Sequence, residues 1–186
     1  MTFDYLGYEL KFIQKQTCQD ESAHLFTLIY KFYSPKTKYH YVLRAEYHDQ
    51  DVFAVKFYCK KDKRSNNKYS KIVNRGDVGN ILITCAKVVP LLLSQYSTAC
   101  FAFAGARSID PISRKVEPFT NTQRFIIYKK IAAIKFGPIT FAHIPYETIS
   151  SYLLVNKYYK NINKKEKDLK EMFANNYDNL IEIGLD

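Results

Sequence analysis

An α+β domain built on a mostly antiparallel sheet of about six or seven strands is the fold class this sequence predicts. Three observations carry the prediction. Consecutive segments in the first third alternate apolar and polar residues with the period of two that a half-buried strand requires. Two later segments repeat apolar residues at helical spacing. Between them runs Cys100-Phe101-Ala102-Phe103-Ala104-Gly105-Ala106, too apolar for an edge and suited to a central strand covered on both faces. The resulting order is β-β-β-β-α-β-α-β-β, a single domain over residues 1–157, followed by a charged helical tail over 158–186.

A first strand is expected around residues 9–15. In residues 25–33 the even positions Phe26, Leu28, Tyr30 and Phe32 are apolar, and Ser34-Pro35-Lys36-Thr37-Lys38 supplies turn chemistry. In residues 39–48 the odd positions Tyr39, Tyr41, Leu43, Ala45 and Tyr47 form one face, which leaves Arg44, Glu46 and His48 on the other. Residues 52–60 repeat the pattern with Phe53, Val55, Phe57 and Cys59, so the four segments form an antiparallel meander. Residues 60–75 have no apolar period and read as an exposed loop. Asp77 is placed to cap a helix carrying Ile81, Leu82, Cys85, Val88, Val89, Leu92 and Tyr96, which Pro90 should kink or shorten. Pro111 and Pro118 mark the loop after the apolar strand. A second helix is expected from a Thr120-Asn121 cap to about Phe136, where Gly137-Pro138 stops it. Residues 139–145 and 150–156 read as two closing strands, and the Lys/Glu-rich stretch from Asn163 as a surface helix with a narrow apolar stripe.

With 186 residues, 47% of them apolar, the chain can bury a real core, which excludes a disulfide-stapled miniature or a disordered tail. The formal charge of +10 points to an anionic partner and is unevenly placed. Residues 56–75 hold eight cations against Asp62, a local +7, and residues 107–135 hold seven against Asp110 and Glu117, a local +5. The N-terminus shows no basic and apolar leader. The longest apolar stretch, residues 81–93, is interrupted by Lys87 and Pro90 and is too short to cross a bilayer. A cytoplasmic protein without a membrane partner is therefore expected. Cys18, Cys59, Cys85 and Cys100 lack metal-ligand spacing and read as four reduced structural thiols.

Residues 121–130 read Asn-Thr-Gln-Arg-Phe-Ile-Ile-Tyr-Lys-Lys. This stretch resembles the Asn-x-x-Ala-x-x-x-Tyr helix start that follows the fifth strand in GNAT-type acetyltransferases. The meander, helix, strand, second helix and final strands also fall in that superfamily's order over roughly residues 25–156. Residues 16–24 leave no room for the two helices usual after the first strand. The family's Gln/Arg-x-x-Gly-x-Gly/Ala loop is absent, the nearest stretch being residues 74–80. More generally the chain is like bacterial proteins of about this length, which implies no activity. The resemblance implies acetyl-coenzyme A held by Lys71, Arg75, Gly76, Gly79, Asn80 and Asn121 in a cleft where two neighbouring central strands splay apart. It implies Tyr128 as the acid for the departing thiolate, and Glu46 or His48 as the proton relay for an amine acceptor. The surplus of positive charge further suggests an RNA-linked acceptor, as for toxins of bacterial toxin–antitoxin pairs.

The residues also admit plainer roles. Tyr128 is one of 16 tyrosines and can pack an inner helix face, Arg44, Glu46 and His48 can be a solvated strand face, and Gly76 and Gly79 can be turn residues. A different class of function remains open as well, a non-enzymatic nucleic-acid-binding or interaction module of a toxin–antitoxin or defence system. There Lys60, Lys61, Lys63, Arg64, Lys68 and Arg124 would meet phosphates, with Tyr58 and Tyr69 for stacking. No metal is expected, and the oligomeric state is not legible.

Overall fold

The computed structural model describes residues 4–71, 76–109 and 115–177. Seven strands form one mixed sheet in the order β1-β2-β3-β4-β5-β7-β6. The meander consists of β1 (Lys11–Thr17), β2 (His24–Ser34), β3 (Tyr39–His48) and β4 (Val52–Cys59), all paired antiparallel. β5 (Cys100–Ala104) joins β4 in the sheet's parallel pairing, and β7 (Ser151–Asn156) lies between β5 and β6 (Phe141–Tyr146). The α+β class, the element order and the central place of the apolar strand are as the sequence predicts.

The period of two sorts the side chains onto two faces, and each face has its own core. On one face Leu28, Leu43, Phe53, Phe101 and Leu154 pack under α1 (Val78–Ala86), α2 (Val88–Leu93) and α3 (Gln123–Lys135). On the other, Val52, Ala54, Cys100, Leu153 and Val155 receive Leu169, Met172 and Phe173 of α4 (Ile162–Asn176). The narrow apolar stripe of this Lys/Glu-rich helix thus closes the second core. Its N-cap is Asn161, whose side chain accepts the Lys164 N–H at 2.9 Å.

One boundary is as expected and two differ, each for an identifiable reason. The helix after Asp77 breaks at Lys87, three residues before Pro90, because a proline ring crowds the carbonyl one turn earlier and cannot donate to it. α3 is capped by Thr122, which accepts the Phe125 N–H at 3.2 Å, and Asn121 just before it takes a left-handed φ of 51°. β5 ends at Ala104, because the next residue turns toward that cap. The three-residue β3–β4 turn, residues 49–51 between the paired His48 and Val52, holds Gln50 and Asp51 at left-handed φ values of 65° and 52°. Asp51 steadies this turn by accepting hydrogen bonds from Tyr47, Thr98 and Tyr159.

Candidate functional site

β4 and β5 pair over only four residues each, Val52–Val55 against Cys100–Phe103. β4 continues to Cys59 beside β3, whereas β5 stops one residue after Phe103. Gly105 redirects the chain. Its N–H donates to the Ser150 carbonyl at 2.7 Å, and its own carbonyl accepts the Thr122 hydroxyl at 2.9 Å. A Cβ at this position would stand 2.7 Å from the Phe125 backbone nitrogen, so only glycine lets the start of α3 press against the end of β5. The two neighbouring central strands therefore part.

A cavity of about 430 Å³ lies at this divergence on the α4 face. Its floor is Ala54, Ala102 and Leu153, and Phe173 of α4 forms a wall. The small side chains of β4 and β5 leave the space, because α4 rests on the flanking Val52, Cys100 and Val155. The charged side chains in its lining are Lys56 and Lys170, both cations, and the tyrosines Tyr146 and Tyr177 add hydroxyls. Under α1 and α3 on the opposite face lies a second space of about 30 Å³, enough for roughly one water. Val55, Phe103 and Tyr152 line both.

An ionisable cluster adjoins the larger cavity. Glu46 is buried at 6% exposure and accepts Lys56 Nζ at 2.7 Å and Arg44 Nε at 3.2 Å. Burial pushes the Glu46 carboxyl pKa up, but Lys56 and then Arg44 outweigh it and hold the pKa below the usual carboxylate range. His48 is fully buried. Its Nδ1–H donates to the Glu46 carbonyl at 2.9 Å, which fixes the tautomer and leaves Nε2 to accept the Tyr177 hydroxyl at 2.8 Å. Burial lowers the His48 pKa to about 4, so the ring is neutral. The Tyr177 oxygen is also 3.3 Å from Glu46 Oε2; burial and this carboxylate raise the phenol's pKa. His24 stacks on His48 at 5.0 Å and reaches the Thr27 hydroxyl at 3.0 Å. Lys56 and Tyr177 belong to both the cluster and the cavity wall. With its own proton directed to His48, the Tyr177 oxygen can accept a hydrogen bond from a group in the cavity.

Glu46 and His48 are thus brought together, as the shared strand face predicts, but as a buried network under α4 and not as a solvated face. Tyr128 lies on the opposite face, lining the small space, with its ring 6.3 Å from that of Phe103 and its pKa raised by burial. Of three further participants, one carried a weak signal and two carried none. Lys56 interrupts the apolar even face of β4, whereas Lys170 and Tyr177 sit in the polar tail, where nothing local marks them.

The expected coenzyme seat is differently occupied. Asp77, at the N-cap of α1, is 2% exposed and does not cap; it accepts the Tyr8 hydroxyl at 2.7 Å, the Ser34 hydroxyl and Asn80 Nδ2 at 2.9 Å. The Tyr5 ring lies where a Cβ on Gly79 would be, 2.2 Å from the ring, and Asn80 accepts the Gly7 N–H at 3.3 Å. Gly76 is a turn residue at φ 69° whose carbonyl accepts Lys36 Nζ at 2.6 Å. Lys71 pairs with Asp62 at 3.3 Å, Asn121 is exposed, and Arg75 lies outside the described residues. A buried carboxylate and an aromatic ring at the helix start do not fit the diphosphate of acetyl-coenzyme A. Among the described residues no group of three His, Cys, Asp or Glu side chains could hold a metal, and no helix is long and apolar enough to cross a membrane.

In the basic loop, Lys60, Lys61, Lys63 and Arg64 are exposed, whereas Lys68 Nζ sits 5.2 Å over the rings of both Tyr58 and Tyr69. Arg124 is not available to a phosphate. It is buried, donating to the carbonyls of Tyr69 and Lys71, and so ties this loop to α3.

No protein family, curated protein or solved structure matches the chain.

Proposed function

We propose that the chain is a ligand-binding domain of GNAT-like build that receives an acyl or similarly apolar group in the cavity where β4 and β5 part. The parting of these two strands over a 430 Å³ apolar cavity is the observation that carries this reading. The Glu46–His48–Tyr177 network along the wall supports the reading, because the Tyr177 oxygen, with its own proton directed to His48, is a hydrogen-bond acceptor for the amine of an acyl acceptor. No step is drawn through acetyl-coenzyme A, because the α1 start does not fit its diphosphate. Fluorescence titration with the small uncharged dye 2-naphthol, about a dozen heavy atoms in size, tests the site. One saturable site that Ala102→Leu abolishes supports the reading, and equal dye binding by that variant in folded form overturns it.

The exposed run Lys60, Lys61, Lys63 and Arg64 favours a second reading, in which the loop binds nucleic acid. Filter binding of single-stranded RNA between 50 and 200 mM salt, about the range over which phosphate contacts lose most of their affinity, tests it. Steep salt dependence that is lost when all four are changed to alanine supports it. An RNA-linked amine acceptor would engage loop and cavity together.

A further inference from the structure

The wall of the large cavity carries charge of one sign, and only one of its charges is uncommitted. Lys56 Nζ is held 2.7 Å from Glu46 Oε2. Lys170 Nζ makes no ion pair among the described residues and rests 5.4 Å from the Tyr146 ring centre, a weak cation–π contact. The other polar groups have partners within the protein. Tyr146 donates to Glu166 at 2.5 Å, Tyr177 to His48, and the Asn176 amide joins the Met172 carbonyl and the Ala23 N–H. Among the described residues no carboxylate lines the cavity. A ligand seated there meets apolar walls along its length and a single free hydrogen-bonding cation.

On the cavity reading above, we infer that the ligand is an amphiphilic monoanion, a medium-chain carboxylate in chemical class, with its head at Lys170 and its chain over Ala54, Ala102 and Leu153. The volume suits it, since 430 Å³ holds on the order of a dozen heavy atoms at the ~30 Å³ that a water-sized group occupies in a liquid. A positive head group is disfavoured, because it would bury beside Lys56 and Lys170 with no acid to receive it. The carboxylate gains a charge-assisted bond at the rim, and the chain leaves water.

Isothermal titration calorimetry with decanoate, 1-decanol and decylamine below their micellar concentrations tests this. Decanoate should bind at least about tenfold more tightly than decanol, the difference expected from one charge-assisted hydrogen bond, and decylamine should not bind. Lys170→Met should bring decanoate down to the affinity of decanol and leave decanol unchanged, while Ala102→Leu abolishes both. Decanol binding as tightly as decanoate, or decanoate indifferent to Lys170→Met, overturns the anionic head but leaves the cavity as the site. Failure of all three amphiphiles to bind the folded wild-type chain overturns both.

Discussion

Acid should weaken this fold through His48 in a way that one substitution isolates. The ring is fully buried on β3, facing His24 of β2, Lys56 of β4, the Glu46 backbone, and Phe173 and Tyr177 of the α4 end. Its folded pKa of about 4 lies below the ordinary 6.5. Between those values the unfolded chain binds a proton that the folded chain refuses, so stability is fully present above pH 6.5 and is lost as the pH falls toward 4. The gap of some two and a half units corresponds to about 3 kcal/mol in full, and to about 2 kcal/mol between pH 7 and 5. Glu46, with its lowered pKa, adds loss of the same sign lower in the range. Urea unfolding followed by far-ultraviolet circular dichroism, on wild type and His48→Gln at pH 7 and 5, separates the His48 share. The wild-type midpoint should fall by about 1 M more than the variant's, given a slope near 2 kcal/mol per molar. Parallel losses would refute the reasoning. They would mean that Tyr177 turns its hydroxyl to Glu46 and accepts from a protonated ring, offsetting the cost of burial.

Two further outcomes follow from buried hydrogen bonds. Arg124→Met leaves the Tyr69 and Lys71 carbonyls without their donor and should cost about 1–3 kcal/mol, with limited proteolysis cutting residues 60–71 sooner than in wild type. Asp77→Ala removes the shared acceptor of Tyr8, Ser34 and Asn80 and should cost a similar amount or more, so about 2–3 kcal/mol; hydrogen exchange should then quicken at Gly7 and Tyr8.

The sheet was legible because strand parity is a local property. Phe26, Leu28, Tyr30 and Phe32 announce one face with no knowledge of what covers it, and the unbroken apolarity of Cys100–Ala104 announces cover on both sides. The same parity put Arg44, Glu46 and His48 together. It could not tell solvent from a lid, because the lid is α4, more than a hundred residues later, whose exposed Lys/Glu face dominates its composition. The family resemblance set a parting of central strands beside residues 76–80 as the feature to look for, whereas β4 and β5 part over a cavity on the α4 face, away from α1. The cause of this parting, Gly105 under the Thr122 cap, is a close approach between residues 17 apart and has no local pattern. Asp77 shows the opposite failure. Its position before a helix is the ordinary sequence signal for a cap, yet tertiary partners on β2 and the N-terminal segment claim its carboxylate.

The positive charge and the cavity chemistry can be tested apart, because the place where the two basic segments meet is not an open cluster of cations. Among the described residues they meet where Arg124 joins the Tyr69 and Lys71 backbone, a buried contact in which the guanidinium serves carbonyl oxygens. On α3, Lys129 is taken by Glu147 at 2.6 Å. The cations left to solvent on the loop are Lys60, Lys61, Lys63 and Arg64, and none of them lines the cavity. Interactions among exposed charges fade over about 8 Å at physiological salt, so an anion drawn to this run is governed by ionic strength. A head group held at Lys170, next to apolar walls, is screened less. Raising salt from 50 to 300 mM should therefore abolish any RNA binding by the loop while changing decanoate affinity by no more than about threefold. If both fall together, one electropositive surface serves both ligands, and the division between loop and cavity is wrong.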